Sequence, residues 1–287
     1  MTTSTPRTAF VFAGGGSLGA VQVGMLHALA ERNVRPDFVV GASAGAINAA
    51  YFAADPTPAG VSALDRLWCG LTRRQIMPMR MRDLLRIATR RAYLVDPSAL
   101  RRLLERHLPY RLLEQAAIPM HVVATDMVLG VERLLSSGPV VDAVMASAAI
   151  PGVFPPVRIG ERDLIDGGVA NNTPISSALA LGATRVIVLP TGFACALRSI
   201  PKSAVGRALH ALSLLVTRQL VNDIERYGAS AALHVVPPLC PVDSSPYDYS
   251  ASAALIRRAR ETTRRWIGEG GLERPHGVPH EMNEHTH

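Results

Sequence analysis

Short apolar runs that end in glycine alternate with longer apolar stretches over the first part of the chain. Residues 8–13 and 38–40 are apolar runs of strand length, and each leads through a glycine-containing turn into a stretch suited to a helix, at residues 20–31 and 44–53. A strand that is buried on both faces forms a continuous apolar run in the sequence. The pattern therefore predicts parallel strands covered by helices.

The same alternation continues along the rest of the chain. It predicts a hairpin around Gly160, strands at residues 121–125, 132–136 and 185–189, and helices at residues 140–148, 174–181, 204–226 and 251–267. Thr173 is placed to cap the helix that Pro174 opens. Residues 55–118 break the pattern because they are helical, basic and rich in methionine. We interpret them as an insertion or cap on the fold.

Length and composition indicate one large domain. A chain of 287 residues that is 48% hydrophobic can bury a single sizeable core. We expect the domain to span residues 8–267, between a disordered N-terminus at residues 1–7 and a disordered tail at residues 268–287. The uncharged stretches at residues 8–30 and 38–54 are broken by glycine, which favours strand, turn and helix over a membrane span. The N-terminus lacks a signal-peptide pattern, so the expected location is the cytoplasm.

Charge and cysteine content narrow the range of partners. The net charge is +7, and residues 73–111 hold eleven arginines against three acidic residues. This excess favours an anionic partner such as phospholipid headgroups or nucleic acid, and it is equally consistent with a solvated face of arginine-rich helices. Cys69, Cys195 and Cys240 show no spacing typical of a disulfide framework or a zinc site, and we expect no metal.

Ser43 lies where a predicted strand meets a predicted helix. Small residues surround it in the sequence Gly41-Ala42-Ser43-Ala44-Gly45. A sharp turn needs glycine at both flanks because a Cβ atom there would collide with the neighbouring backbone. The following helix also directs its amide dipoles toward the reacting atoms. This arrangement predicts a nucleophilic serine.

A second glycine-rich turn follows the first predicted strand and opens the first predicted helix. Its residues are Gly14, Gly15, Gly16, Ser17, Leu18 and Gly19. The turn fits the G-x-G-x-x-G dinucleotide fingerprint, but the nearby acidic residue, Asp37, precedes the second strand instead of ending it. A Walker P-loop does not fit because Ala20 follows Gly19. The turn is better suited to direct backbone N–H groups at an oxygen that becomes negative during acyl transfer, as an oxyanion hole.

A nucleophilic serine needs a base, and histidine and aspartate are both available. The histidines beyond Ser43 and before the tail lie in apolar or helical runs, where a structural role is the better interpretation: His107, His121, His210 and His234. Asp166 instead ends an apolar run, and Gly167 and Gly168 let another backbone approach its carboxylate. From the residues alone, Asp166 is either this base or the first residue of an Asp-Gly turn.

Taken together, the three motifs resemble those of the patatin-like phospholipase family. Their order and spacing match: the glycine-rich turn at residues 14–19, the G-x-S-x-G at residues 41–45 and the Asp-Gly-Gly at residues 166–168. The block at residues 147–156 is similar to the segment that such proteins carry before the aspartate. One departure is Leu18, where many members have arginine or lysine.

The resemblance implies a fold and an activity. The fold is α/β, a three-layer α/β/α sandwich with a mainly parallel central sheet. The activity is hydrolysis of fatty-acyl ester bonds of lipids, without a metal or other cofactor. Ser43 would be the nucleophile, Asp166 the base, and the amides of Gly15 and Gly16 the oxyanion donors. From their basic charge, and not from the resemblance, we hypothesise that residues 73–111 make a peripheral contact with an anionic membrane, and nucleic acid is not an expected partner.

Three alternatives stay open from the sequence. One is a catalytically inactive lipid-binding or scaffold protein of the same fold. Another is an NAD(P)-binding protein that uses the turn at residues 14–19. The third is an esterase with a Ser-His-Asp triad. The headgroup, the acyl-chain length and the oligomeric state have no signature in the sequence.

Overall fold

An eight-stranded sheet forms the centre of the computed structural model, which describes residues 6–76, 93, 95–192, 204–240 and 248–274. Its strands are β1 (Thr8–Phe12), β2 (Phe38–Ala42), β3 (Met120–Asp126), β4 (Glu132–Leu135), β5 (Val157–Ile159), β6 (Arg162–Asp166), β7 (Arg185–Leu189) and β8 (Ala232–Val235). The helices are α1 (Gly19–Glu31), α2 (Ala44–Ala54), α3 (Pro58–Gly70), α4 (Arg73–Ile76), α5 (Ser98–His107), α6 (Val140–Ser147), α7 (Gly168–Asn171), α8 (Ile175–Ala180), α9 (Ala204–Tyr227) and α10 (Ser252–Gly268).

The sheet is mainly parallel. Its order is β5-β6-β3-β2-β1-β7-β8, and β4 pairs with β3 as well. The five strands β1, β2, β3, β7 and β8 run parallel, whereas β4 and β6 pair antiparallel with β3, and β5 pairs antiparallel with β6. All residues of β1 and β2 are buried, which explains why the two strands are continuous apolar runs in the sequence.

Helices cover both faces of the sheet. Side chains of a strand point alternately to its two faces, so Phe10 and Phe12 belong to one core and Ala9 and Val11 to the other. The first core also contains residues of α1, α2, α3, α5, α6 and α10, and the second contains residues of α8 and α9. The three-layer α/β/α sandwich predicted from the sequence is therefore confirmed.

The structure also confirms most of the predicted elements, including the hairpin at Gly160, with small shifts at their ends. Strand β8 was not predicted because its run of four residues is short and contains His234. The prediction that Thr173 caps a helix is wrong. Within the described structure α8 begins at Ile175, and no side-chain hydrogen bond caps it. Across the described ranges, no helix is both long enough and apolar enough to cross a bilayer.

The domain boundaries differ from the predicted ones. Residues 268–274, predicted as part of a disordered tail, fold back on the domain, where Gly271 accepts from His234 and Leu272 accepts from Arg185 through their carbonyl oxygens. Arg7, predicted as disordered, donates to Thr184 Oγ1 through its backbone N–H. The remaining residues of both predicted ends lie outside the described residues.

The described parts of residues 55–118 belong to the helical layer and do not form a separate cap. Helix α3 packs on α1 and α10. Val95, Leu100 and Leu104 are buried in the first core. The central part of this segment, residues 77–92 and 94, lies outside the described residues. Its described helices are therefore part of the sandwich, since their apolar faces complete the core.

Close packing of α1 on α10 leads to a first prediction. A Cβ atom added at Gly24 would meet the carbonyl oxygen of Ile256 and would lie 2.7 Å from Ala259 Cβ. We expect Gly24→Ala to lower the free energy of unfolding by about 1 to 3 kcal/mol, because overpacking outweighs the better helix propensity of alanine. Urea denaturation measures the change.

Gly70→Ala at the end of α3 is the matched control, because the added Cβ would enter open space. We expect the control to leave the unfolding free energy unchanged or to raise it by up to about 1 kcal/mol. Equal effects of the two substitutions would contradict the packing explanation.

Candidate active site

The carboxyl ends of β2 and β6 meet beside the middle of β3. Strand β2 runs parallel to β3, and its last residue, Ala42, pairs with Val123. Strand β6 runs antiparallel, and its last residue, Asp166, pairs with the next residue, Ala124. Strand β4 pairs with residues of β3 that also pair with β2 or with β6, so β4 must lie along the opposite edge of β3. Strands β2 and β6 therefore lie end to end along the same edge of β3. Ser43, which follows β2 directly, is thus brought beside Asp166.

Ser43 and Asp166 form a buried hydrogen-bonded pair. Ser43 Oγ donates to Asp166 Oδ2 at 2.7 Å, and the N–H of Gly168 donates to Asp166 Oδ1 at 2.8 Å. The residues are only 7% and 6% exposed. Burial raises the pKa of Asp166 to about 6, although the hydrogen bonds from Ser43 and Gly168 oppose part of the rise. The carboxylate is thus more basic than an ordinary aspartate and lies within reach of a hydroxyl proton.

The backbone at Ser43 is strained and is held by a neighbouring helix. Its φ of 53° and ψ of −126° lie in a region that residues with a Cβ atom rarely occupy. The N–H of Ser43 donates to Ser147 Oγ at 2.8 Å, and Ser147 Oγ donates to the carbonyl oxygen of Val123 at 2.5 Å. Ser147, at the end of α6, therefore fixes the turn to the central strand.

Close backbone contacts explain the two glycines that flank this turn. A Cβ atom at Gly41 would lie 2.6 Å from the carbonyl oxygen of Gly45. A Cβ atom at Gly45 would meet the carbonyl oxygen of Phe12 at the end of β1. The turn between β2 and α2 consequently lies directly against the end of β1, where the glycine-rich turn begins.

The glycine-rich turn packs against Ser43 and is held by two side chains. A Cβ atom at Gly14 would lie 2.9 Å from Ser43 Cβ. The carbonyl oxygen of Gly14 accepts from Thr191 Oγ1 at 2.7 Å and from Asn172 Nδ2 at 3.4 Å. The C=O and N–H groups of a trans peptide point in opposite directions, so these bonds also fix the direction of the N–H of Gly15.

Two backbone amides of the turn are available to a ligand. The N–H groups of Gly15 and Gly16 have no hydrogen-bond partner among the described residues. The N–H of Gly14 donates to the carbonyl oxygen of Asn172, and the N–H of Gly19 donates to carbonyl oxygens within the turn. Although both belong to the turn predicted to form the oxyanion hole, Gly14 and Gly19 therefore do not offer a free amide. Ser17 is fully buried and supports the turn from within.

A buried polar network anchors both ends of the turn. Gln22 Nε2 donates to the carbonyl oxygen of Ala13 at 2.9 Å, and Asn48 Nδ2 donates to that of Gly19 at 2.9 Å. Asn48 Nδ2 also donates to Gln22 Oε1, and Trp68 Nε1 donates to Asn48 Oδ1, each at 2.7 Å. Satisfied polar groups in a buried network hold their partners rigidly. The network therefore couples the turn to α1, α2 and α3.

Sequence reasoning missed five side chains that position the site: Gln22, Asn48, Ser147, Asn172 and Thr191. A signal existed for the first two, because each is a polar residue inside an otherwise apolar helix. The other three lie far from Ser43 in the sequence, and only the sheet topology brings them to its edge.

The described histidines make their contacts away from Ser43. His121 Nδ1 bonds Ser136 Oγ at 2.7 Å, and His234 Nδ1 bonds the carbonyl oxygen of Gly271 at 3.1 Å. The ring of His107 lies beside that of Tyr51. The side chain of His210 lies outside the described residues. Within the described part of the chain, the group that accepts the hydrogen bond from the Ser43 hydroxyl is thus a carboxylate.

The position of Asp37 also bears on the nucleotide-binding alternative. Asp37 Oδ2 accepts from the backbone N–H of Thr8 at 2.6 Å, at the start of β1. The glycine-rich turn lies at the other end of that strand. Asp37 is therefore not placed to bind the ribose of a dinucleotide held at the turn.

Fold and site together define the class of protein: a three-layer α/β/α protein with a serine and a carboxylate paired at the carboxyl edge of its sheet. A family model described as patatin-like phospholipase matches residues 10–179, which is more than half of the chain. The chain belongs to the patatin-like phospholipase family, as the three motifs predicted.

Comparisons with individual proteins agree with this family. The chain is 29% identical over 187 residues to the mouse patatin-like phospholipase domain-containing protein 7, a match that covers 64% of this chain and 13% of that protein. It is 30% identical over 200 residues to an uncharacterized NTE family protein of Mycobacterium bovis, covering 65% and 49% of the two chains. This chain therefore matches less than half of the length of either relative.

A solved structure shows a similar fold. Human GIVD cytosolic phospholipase A2, in complex with methyl γ-linolenyl fluorophosphonate, aligns with a TM-score of 0.52 and 12% identity. The alignment covers 93% of this chain and 58% of that chain. At this level of identity the likeness shows the fold alone.

The raised pKa of Asp166 leads to a prediction for stability. The pKa of Asp166 is about 6 in the folded protein, whereas that of an aspartate in an unfolded chain is about 3.9. Ionisation of Asp166 therefore lowers the free energy of unfolding as the pH rises from about 4 to about 6. We expect Asp166→Asn, which is neutral and isosteric, to raise the unfolding free energy by about 2 to 3 kcal/mol at pH near 8, by the pKa difference. The gain should vanish at pH near 4.

Asp163→Asn, at a partly exposed position of the same strand, is the control, and we expect it to change the unfolding free energy by less than about 1 kcal/mol at either pH, since its ion pair with Arg158 lies at the surface. Urea denaturation at both pH values measures the effects. A gain for Asp166→Asn that is larger at the lower pH would show that burial does not raise the pKa of Asp166.

Proposed function

We propose that the protein is a serine acyl hydrolase that cleaves fatty-acyl ester bonds of lipids. The observation that carries the proposal is the 2.7 Å hydrogen bond from Ser43 to buried Asp166, beside two backbone amides that are free within the described structure. Membership of the patatin-like phospholipase family supports a lipid ester as the substrate class. Phospholipid, lysophospholipid and neutral lipid esters all share the reacting group.

In the first step, Ser43 Oγ attacks the ester carbonyl carbon while its proton passes to Asp166 Oδ2. The carbonyl oxygen becomes negative and is stabilised by the N–H groups of Gly15 and Gly16. The C–O bond of the ester then breaks, and the leaving alkoxide takes the proton from Asp166. A fatty-acyl ester of Ser43 remains.

In the second step, Asp166 takes a proton from a water molecule, which attacks the acyl carbon. The same two amides stabilise the second oxyanion. When the tetrahedral intermediate collapses, Ser43 Oγ leaves and recovers the proton from Asp166, and a fatty acid is released. A buried carboxylate suits this role because its raised pKa brings it closer to that of the group it must deprotonate.

The side chain of Leu18 concerns the recognition of the substrate headgroup. This residue, where many family members have a cation, packs its partly buried side chain against the first core. The turn thus supplies no positive side chain at this position for an anionic headgroup. We infer that the ester and its acyl chain, and not a headgroup contact at Leu18, determine recognition at the turn.

A membrane is the proposed location of the substrate. The described part of residues 73–111 contains α5, whose Leu100 and Leu104 are buried while Arg102 and Arg106 are exposed. Exposed arginines attract anionic headgroups. We propose that this basic face contributes electrostatic attraction to an anionic membrane.

Covalent labelling tests the nucleophile. We expect a fluorophosphonate probe to label the purified protein, and the protein to hydrolyse a medium-chain p-nitrophenyl ester. Ser43→Ala should lose labelling and should lower kcat by at least about a thousandfold, because the acyl-enzyme can no longer form. Asp166→Asn should lower both rates by a similar factor, because the hydroxyl loses its base.

Ser62→Ala, at a partly exposed serine on α3, is the control for the probe and should keep full labelling. A folded protein that neither labels nor turns over would support the inactive lipid-binding or scaffold alternative. Activity that survives in Asp166→Asn would overturn the role of Asp166.

Substitution of Thr191 tests the proposed role of the glycine-rich turn as an oxyanion hole. Removing its hydroxyl in Thr191→Val breaks the 2.7 Å bond to the carbonyl oxygen of Gly14 and frees the peptide that carries the Gly15 N–H. We expect kcat for the p-nitrophenyl ester to fall by about ten- to a hundredfold with little change in KM, since the loss concerns the transition state.

Thr191→Ser keeps the hydroxyl and should recover most of the kcat. Thermal unfolding of both variants separates a loss of stability from a loss of alignment. A rise in KM at constant kcat, or equal kcat values for the two variants, would contradict the positioning role of Thr191.

A further inference from the structure

An apolar turn stands at the edge of the sheet that carries the candidate active site. It connects β3 to β4 and has the sequence Met127-Val128-Leu129-Gly130-Val131. The residues Met127, Val128 and Leu129 are 56%, 83% and 59% exposed. Neighbouring large apolar side chains that are exposed in this way indicate an interaction surface.

The turn projects beyond Ser43. Ala42, the residue before Ser43, pairs with Val123, and the turn begins four residues later on β3. At the rise of an extended strand, the turn therefore begins about 13 Å beyond that level along the strand direction. Val169, also exposed, lies on the same edge, because the N–H of the next residue, Ala170, donates to Thr125 near the end of β3. The apolar surface thus continues toward the segment that follows Asp166.

Four backbone N–H groups of the turn, those of residues 127–130, are paired within the protein. Asp126 Oδ1 accepts from the N–H groups of Val128 and Leu129, and the carbonyl oxygen of Asp126 accepts from the N–H of Gly130. The N–H of Met127 donates to the carbonyl oxygen of Asp163. Unpaired amides strongly oppose entry into hydrocarbon, so this internal pairing suits the turn to an apolar medium.

The charges at the base of the turn fit a phospholipid surface. The side chain of Asp126 is buried and pairs with Arg162 at 2.7 Å and with Arg133 at 3.4 Å. Both arginines keep part of their side chains exposed. Residues 127–131 themselves carry no charged side chain. An apolar tip above two guanidinium groups matches the order of acyl chains and phosphates in a bilayer leaflet.

We propose that residues 127–131 form a membrane-docking tip, with Val128 and Leu129 in the apolar region of the leaflet and Arg133 and Arg162 at the phosphates. Interfacial elements enter the leaflet by about 5 to 10 Å, which would bring Ser43 close to the headgroup region. The purpose of the docking rests on the proposed function, but the contact itself does not require catalysis.

Tryptophan placed in the tip tests the contact directly. The native Trp68 and Trp266 are buried, so a new tryptophan in Val128→Trp would dominate any response to lipid. We expect its emission to shift to shorter wavelength with vesicles of phosphatidylcholine containing a minor fraction of phosphatidylglycerol, and brominated lipid to quench it. The Ser43→Ala background prevents hydrolysis of the vesicles.

Ala59→Trp is the matched control. Ala59 is exposed at the start of α3. The neighbouring Pro58 lines a cavity together with Arg35, which precedes β2 in the chain. Ala59 therefore lies near the amino ends of the parallel strands, at the opposite edge of the sheet from Ser43. The tryptophan in the control should keep its emission in the presence of the same vesicles. An equal shift in both variants would overturn the assignment of the tip.

Charged substitutions in the tip test whether its apolar side chains are needed for vesicle binding. We expect Val128→Asp combined with Leu129→Asp to weaken vesicle binding by at least about tenfold, and Ala59→Asp to leave it unchanged. Neither change should alter hydrolysis of a water-soluble p-nitrophenyl ester. Binding that high salt abolishes but the tip substitutions do not affect would assign docking to the arginines of residues 73–111 and overturn this proposal.

The two proposals fail separately. A protein that hydrolyses the water-soluble ester while the introduced tryptophan shows no lipid contact would overturn the docking tip and leave the proposed function. Lipid contact in a protein that hydrolyses no ester would support the tip and overturn the proposed function. An emission shift on concentration without lipid would show that the tip contacts a second copy of the chain, and would overturn the membrane as its partner.

Discussion

The hydrogen bond between Ser43 and Asp166 depends on where two strands stop along a third. Strands β2 and β6 approach the same edge of β3 from opposite directions and end at successive residues, Val123 and Ala124. A shift of one residue in either pairing would turn the last side chain to the other face of the sheet and separate the two groups. Gly167 reflects how tight the junction is, because a Cβ atom there would meet the carbonyl oxygen of Val123. The antiparallel addition to a parallel sheet thus creates the site.

Such a junction is unfavourable in isolation, and the surrounding fold compensates for it. It contains a positive φ at Ser43 and a carboxylate buried without a cation as hydrogen-bond partner in the described structure. The N–H of Ser43 donates to Ser147 Oγ, and the N–H of Gly168 donates to Asp166 Oδ1, so both groups are held in place. The network of Gln22, Asn48 and Trp68 holds the glycine-rich turn. Elements that pack around the site therefore hold the strained turn in place.

The sequence predicts what is local and misses what is distant. The motifs around Ser43, Asp166 and the glycine-rich turn are short segments, and each contains its own requirement for small residues. Strand β8 was missed because four residues carry too little periodicity, and Thr191 because it reaches Gly14 across 177 positions of sequence. The tail boundary was placed too early, since Gly268 ends a helix in a pattern that otherwise resembles a linker. Contacts between strand ends have no signature in any single segment.

The protein places two unlike surfaces at one edge of its sheet. The pair of Ser43 and Asp166 is almost inaccessible to solvent. In the proposed reaction, the burial that raises the pKa of the carboxyl would also strengthen the hydrogen bonds to the oxyanion. At the same edge, the large apolar side chains of Val128 and Leu129 are exposed. Under the proposed function, a substrate that enters this buried site either comes directly from an apolar phase or loses its hydration water on entry. Apolar side chains on the rim of that site favour the first route, since a lipid that moves between two apolar surfaces need not be fully hydrated on the way.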